Sequence, residues 1–210
     1  MKLNAIKRAI IKFVSFLIFP VKIYGKENLP KGSAVICCNH FSIVDCIYLV
    51  KLNIKENYSI LSKKEALKPK VFGSILKGYG AVPIDRQNPE LRTLMEIIKG
   101  LKNGNKLLVF PEGTRNKTKT ITLQPLKGGS AVFSVRAKCP IVPVMILKKA
   151  KPFCRNKMIV GKPFELSEFY DKKNNDNDYV EMEKIIYDKM VEEQNNLLKL
   201  IKNESINRKK

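Results

Sequence analysis

Short apolar runs alternate with segments of helical period along most of this 210-residue chain. Residues 33–38, 58–62, 81–84, 106–110 and 141–147 read as buried strands, and 21–24 and 158–160 as shorter ones. Between them, Ile43, Ile47, Tyr48 and Val50 recur at helical spacing, as do Leu91, Leu94, Ile97, Ile98 and Leu101. The second of these helices has a good start in Asn88-Pro89-Glu90, with a cap, a proline at the first position and an early acid. Asn103-Gly104 ends it. Residues 72–76 fit a short helix stopped by Gly78 and Gly80, 111–125 a loop, and 130–136 a further helix. Residues 179–201 fit a long helix with acids early and lysines late, the order the helix dipole favours.

Strands alternating with helices predict an α/β fold: a single layered domain with a largely parallel sheet flanked by helices, over residues 21–170. Residues 171–210 read as a polar linker and a C-terminal helix. Residues 1–20 carry a different pattern. Leu3, Ile6, Ile10, Phe13, Val14 and Leu17 fall on one helical face, with Arg8 and Lys12 opposite and Lys2 and Lys7 at its flanks. Pro20 closes the helix. The unbroken apolar run, 13–19, is far below the roughly 20 residues needed to span a bilayer. Lys7, Arg8 and Lys12 also interrupt any signal-peptide pattern. A basic amphipathic helix suits the lipid interface; a helix packed on its own domain is the plainer alternative.

Charge sharpens this picture. Forty Lys and Arg face 19 acids, and eleven of those acids lie between Glu165 and Glu204, so the first three quarters of the chain is strongly basic. Such a balance favours polyanions: anionic lipid, phosphorylated substrates or nucleic acid. Against a nucleic-acid-binding module, aromatics do not interleave with the basic residues, and no helix-turn-helix, zinc or RNP-type pattern is present. The five cysteines are odd in number and have no C-x-x-C or Cys/His ligand spacing, which points to a reducing compartment and no structural metal.

Four blocks carry candidate chemistry, three of them directly after an expected strand. In Asn39-His40-x4-Asp45, His40 is the only histidine of the chain. Placed between a strand and a helix, it can titrate near neutral pH as a general base, with an acid orienting one ring nitrogen. A five-residue step along a regular helix would separate the two side chains by about 140°. Contact therefore requires His40 in the preceding loop and Asp45 in the first helical turn. Ser42-x-x-Asp45 also resembles an ordinary capping box, with His40 a turn residue. Gly80-x3-Ile84-Asp85-Arg86 places a fixed cation after a strand, able to grip a phosphate bidentately. In Phe110-Pro-Glu112-Gly113-Thr114-Arg115, Arg115 is a second phosphate candidate, Gly113 permits close backbone approach, Thr114 adds a hydroxyl, and Glu112 can orient an arginine or bind a substrate hydroxyl. A Pro-Gly turn with a solvated ion pair is the alternative there. Lys127-Gly128-Gly129-Ser130 opens a helix and offers an anion site, though not a Walker loop. Downstream, Ile141-Val-Pro143-Val is a strand that tolerates a proline and so suits the edge of a pocket.

The order Asn-His-x4-Asp, Gly-x3-Ile-Asp-Arg, Phe-Pro-Glu-Gly-Thr-Arg and Ile-Val-Pro-Val, over residues 36–146, resembles the four motif blocks of the glycerolipid acyltransferase superfamily. Within it the chain is most similar to the bacterial 1-acyl-sn-glycerol-3-phosphate acyltransferases. The resemblance implies His40 as the base, Asp45 as its orienter, and Arg86 and Arg115, with Glu112 and Gly113, on the substrate phosphate. It places Pro143 in the block associated with the acyl donor. Val82-Pro83 stands where an aromatic is common in the second block, which leaves the arginine role intact but not the pocket shape. The implied reaction acylates lysophosphatidic acid from acyl-CoA or an acyl carrier protein thioester, with no other cofactor and no metal. The implied place is an anionic membrane surface on the cytoplasmic face, in peripheral or monotopic attachment. The alternatives are another glycerophosphate or lysophospholipid acceptor, a basic nucleic-acid-binding protein, or a non-catalytic membrane-surface protein.

Overall fold

In the computed structural model, residues 13–14, 17–52, 58–64, 80–85, 90–118 and 121–207 are described. Seven strands form one sheet: β1 (Val21–Tyr24), β2 (Ala34–Cys38), β3 (Tyr58–Lys63), β4 (Ala81–Ile84), β5 (Lys106–Val109), β6 (Ile141–Ile146) and β7 (Asn156–Val160). Their spatial order is β1-β7-β6-β2-β5-β3-β4. The pairs β2/β5, β2/β6, β3/β5, β3/β4 and β1/β7 are parallel; β6/β7 is antiparallel. Five strands thus share one direction, and β7 and β1 return along one side.

Among the described residues that follow β1, the α-helices are α1 (Asp45–Val50), α2 (Leu91–Lys102), α3 (Ser130–Ala137) and α4 (Asp176–Asn207). The expected helix at 72–76 and the Asn88-Pro89 cap lie outside the described residues. So does most of the N-terminal amphipathic helix; its described part, residues 13–14 and 17–18, is helical.

Burial on both faces explains why the central strands are continuously apolar. In β2, Val35 and Cys37 enter the core shared with α2, α3 and α4, while Ala34, Ile36 and Cys38 enter the opposite core with α1. Helix α4 begins earlier and ends later than expected, and lies over the sheet: Met182, Ile186, Met190 and Leu197 are fully buried in the first core. Burying four such side chains contributes about 1.5–3 kcal/mol each before the ordering entropy is set against it. The far end of α4 is fixed by Glu204, whose carboxylate receives Lys157 Nζ at 2.8 Å, Tyr24 Oη at 2.6 Å and Lys22 Nζ.

Pro143 is accommodated inside the sheet: β6 lies between β7 and β2. A residue's N–H and C=O point to the same side of its strand, and the Pro143 carbonyl accepts from Gly161 N at 2.8 Å. The missing donor therefore faces β7. Register there shifts between the Ile141↔Phe164 bridge and the regular Val144↔Val160 pairing, so the proline falls at an irregularity where no ladder bond is lost.

Candidate active site

The carboxyl ends of β2, β3, β4, β5 and β6 lie along one edge of the sheet, and the chain leaves β2 between β5 and β6. Crevices at such points hold ligands in open α/β sheets. Directly after β2, Asn39 locks the backbone: its Nδ2 donates to Ile146 O at 2.9 Å and its Oδ1 accepts from Ile146 N at 2.7 Å. His40 follows in the loop and Asp45 sits in the first turn of α1, the arrangement the five-residue step requires.

His40 Nδ1 lies 2.9 Å from Asp45 Oδ2. That same oxygen accepts the backbone N–H groups of Phe41 at 2.6 Å and Ser42 at 2.7 Å, and Oδ1 receives the Ser42 hydroxyl at 3.3 Å. The two readings of Asp45 are therefore one object: a single carboxylate organises the turn and engages the imidazole. Asp45 is fully buried, whereas the His40 side chain keeps 16% exposure. With Nδ1 committed as donor to a carboxylate, the imidazole presents Nε2 as its acceptor. The ring stacks on Phe110 with centroids 4.0 Å apart.

The loop after β5 holds His40 from the other side. Glu112 Oε1 accepts the His40 N–H at 2.7 Å, and Asn116 N donates to the His40 carbonyl at 2.6 Å. Glu112 Oε2 accepts Gln124 N at 3.1 Å. Both oxygens of this nearly fully buried acid are thus engaged by backbone donors. Burial pushes its carboxyl up, and the hydrogen bonds from His40 and Gln124 oppose that shift. This geometry makes Glu112 a brace between two backbone segments. Gly113 has φ 70 and donates its N–H to Phe110 O at 3.0 Å, closing a turn that an L side chain would strain.

A cavity of about 340 Å³ opens beside the pair, lined by His40, Ile43, Cys46, Phe110, Gly113, Thr114 and Arg115 together with Lys63 and Lys117. Among the described residues three cations and no acid line it, which suits a phosphate. Neither Lys63, at the end of β3, nor Lys117 was singled out from sequence; the β3/β5 pairing brings Lys63 to the loop that carries Arg115 and Lys117. Cys46 is no candidate nucleophile, since burial pushes its thiol up to about 12. Arg86 lies outside the described residues. Among the described residues no cluster of three or more His, Cys, Asp or Glu could hold a metal.

The Lys127-Gly128-Gly129 turn does not stand open as an anion site. Its anion site is filled from within the chain: Glu183 of α4 accepts Ala131 N at 3.1 Å, and the N–H groups of Gly129 and Ser130 also act on its carboxylate. Lys127 is exposed beside an adjoining groove of about 420 Å³ and does not line the His40 cavity. Its N–H donates to Pro111 O at 2.9 Å, so this turn supports the Glu112 loop.

The family model described as Acyltransferase matches residues 20–147, which contain His40, Asp45, Glu112 and Arg115. A 1-acyl-sn-glycerol-3-phosphate acyltransferase of Bacillus subtilis (strain 168) is 36% identical over 71% of this chain and 76% of its own length. Proteins of the same description from Cocos nucifera and Streptococcus pneumoniae are 31% and 30% identical over 80% and 68% of this chain, which spans only 56% and 53% of their lengths. In fold, the chain is similar to the crystal structure of the 1-acyl-sn-glycerophosphate acyltransferase from Thermotoga maritima, with a TM-score of 0.61 over 89% of this chain and 75% of that one, at 23% identity.

Proposed function

Since the chain belongs to the acyltransferase family, we propose that it transfers a fatty acyl group from an acyl thioester to the sn-2 hydroxyl of 1-acyl-sn-glycerol 3-phosphate, giving phosphatidic acid. The observation that carries the reading is the His40–Asp45 pair at the mouth of a cation-lined cavity, next to a groove lined by Leu61, Ile84, Leu94, Val109 and Phe133. One end of the combined space suits a phosphate and the other an acyl chain. Acyl-CoA and acyl carrier protein thioesters are both chemically suitable donors.

The acceptor phosphate binds Arg115, Lys63 and Lys117, with Thr114 at the rim and Arg86 supplied from beyond the described residues. Nε2 of His40 takes the proton of the acceptor hydroxyl as its oxygen attacks the thioester carbonyl. Asp45 stabilises the imidazolium through Nδ1. The tetrahedral intermediate collapses by breaking the carbon–sulfur bond, and the departing thiolate takes the proton back from His40. Ester and thiol are the products; no covalent enzyme intermediate is required. The stacked Phe110 ring and the Glu112 brace hold the imidazole in place, and correct positioning is worth orders of magnitude in rate.

Residues 1–20 serve as a membrane-association helix beside an α/β domain at 21–170, with 171–210 as linker and C-terminal helix. Among the described residues no helix is long and apolar enough to cross a membrane. Attachment to the cytoplasmic face through an anionic surface is the mode that the basic, amphipathic N-terminal pattern supports. The deciding assay supplies lysophosphatidic acid and each donor class, in mixed micelles, to the wild type and to folded His40→Ala. Phosphatidic acid from the wild type alone supports the reading; product from both removes His40 from its role. Conversion of a phosphate-free acceptor in preference to lysophosphatidic acid would move the acceptor elsewhere in the superfamily.

A further inference from the structure

The loop between β6 and β7 has no part in the chemistry above, yet it leaves the sheet beside His40. Its first anchor is Ile146, tied to Asn39 through both backbone groups. Its last is Asn156, whose N–H donates to Pro20 O at 2.9 Å and whose Nδ2 donates to Lys148 O at 2.7 Å. In the middle, Phe153 N donates to Ile18 O at 2.6 Å. The loop is thereby strapped to the end of the N-terminal helix, on the catalytic edge of the sheet.

What this loop exposes is specific. Phe153 is 77% exposed, a large apolar side chain left in water. Lys148, Lys149, Lys151 and Arg155 around it are all exposed, and none forms an ion pair with a described acid. No Asp or Glu occurs anywhere between Gly113 and Phe164, so nothing on this stretch offsets the charge. Beside the loop, Phe13, Val14 and Leu17 are 65%, 43% and 54% exposed. An apolar tip among cations, tied by its backbone to Ile18 next to a second set of exposed apolar side chains, matches a lipid–water boundary: rings enter the acyl region while the ammonium and guanidinium groups stay at the headgroups. A purely electrostatic partner would need no exposed Phe153.

We infer that the β6–β7 loop, residues 147–155, is a second membrane-contact element, which seats Phe153 in an anionic bilayer and holds the mouth of the His40 cavity at the surface from which a lipid acceptor enters. The inference rests on the membrane-surface reading above and adds a named element to it.

The chain carries its own reporter. Of its five cysteines only Cys154 is exposed, at the tip of this loop. A polarity-sensitive thiol fluorophore on Cys154 is to be followed with vesicles of phosphatidylglycerol and phosphatidylcholine, while sedimentation of the same vesicles reports binding of the whole protein. Expected is a blue shift on anionic vesicles together with quenching by lipids brominated in their chains. Phe153→Ser and the double variant Lys148→Glu, Lys149→Glu should each weaken vesicle binding, the latter by about tenfold or more, while turnover in detergent micelles stays unchanged. If the protein sediments with vesicles but the label stays wet and unquenched, the loop inference falls and the membrane reading survives. If nothing sediments, both fall. A shift caused by an acidic carrier protein but not by vesicles makes the loop a protein dock and overturns the inference.

Discussion

Glu112 offers the sharpest test of how the site is held. It touches neither nitrogen of the imidazole, yet it accepts the His40 backbone N–H at 2.7 Å and the Gln124 N–H at 3.1 Å. Glu112→Gln keeps the shape but turns one acceptor into an amide NH2 facing a backbone N–H. One charge-assisted bond, worth about 1.5–3 kcal/mol, is lost, and one buried donor is left unsatisfied for about 1–3 kcal/mol more. The sum is about 2.5–6 kcal/mol, a large share of the 5–15 kcal/mol expected of an ordinary domain. The variant should fold at low temperature with a markedly lower urea midpoint. A shift of about 1 Å in His40 would lower kcat by about 10²-fold. Because Glu112 acts through His40, the KM for lysophosphatidic acid should stay near wild type. The assay pairs urea unfolding, followed by near-UV circular dichroism, with initial rates over a range of acceptor concentrations. A folded variant with wild-type kcat, or one whose defect lies wholly in KM, would refute the brace and return Glu112 to the substrate.

Other outcomes follow from the same geometry. Asp45→Asn removes the acceptor shared by His40 Nδ1, Phe41 N and Ser42 N, and should cost about 10²–10⁴-fold in kcat, measured beside a thermal melt that shows the fold retained. Arg115→Ala should raise the KM for a phosphate-bearing acceptor by about 10–100-fold, the range of a lost charged hydrogen bond, and leave a phosphate-free acceptor almost untouched. Glu204 is held well below the usual carboxylate range by Lys157, Lys22 and Tyr24, so its contribution is full above the unfolded carboxylate pKa and fades as pH falls toward the folded value. Melting temperature followed downward from neutral pH should therefore drop less steeply in Glu204→Gln than in the wild type. Glu183 has the opposite sign: burial raises its carboxyl, the folded chain holds the extra proton, and stability declines as pH rises through the window above the unfolded pKa. Glu183→Gln should flatten that decline in the same pH series.

The fold was legible wherever a local rule decides it. Alternating buried strands and helices are a matter of period, and the His40–Asp45 contact follows from the angular step along a helix. What escaped depended on partners distant in sequence. The Gly128-Gly129 turn has every local mark of a ligand site, and only the carboxylate of Glu183, 52 residues beyond Ala131, shows that the chain fills it. How β6 carries Pro143 inside the sheet was not legible either, because its missing donor falls where β7 changes register, a feature set by residues 161–164. Glu112 looks like a ligand in a motif because its two backbone partners lie in other segments. Lys63 is an unremarkable lysine until β3 and β5 are placed side by side.

The double hold on His40 also fixes an order of events during synthesis. Asp45 reaches the imidazole from five residues away, so that half of the site forms as soon as α1 does. The other half, Glu112 and Asn116 on the His40 backbone, arrives some 70 residues later. The Glu112 loop is in turn buttressed by α4, through Glu183 at Ala131 and through Gln194, which accepts Leu123 N at 3.2 Å. The base is therefore set by a helix made long after the histidine, and a growing chain carries an idle histidine until α4 folds back over the sheet.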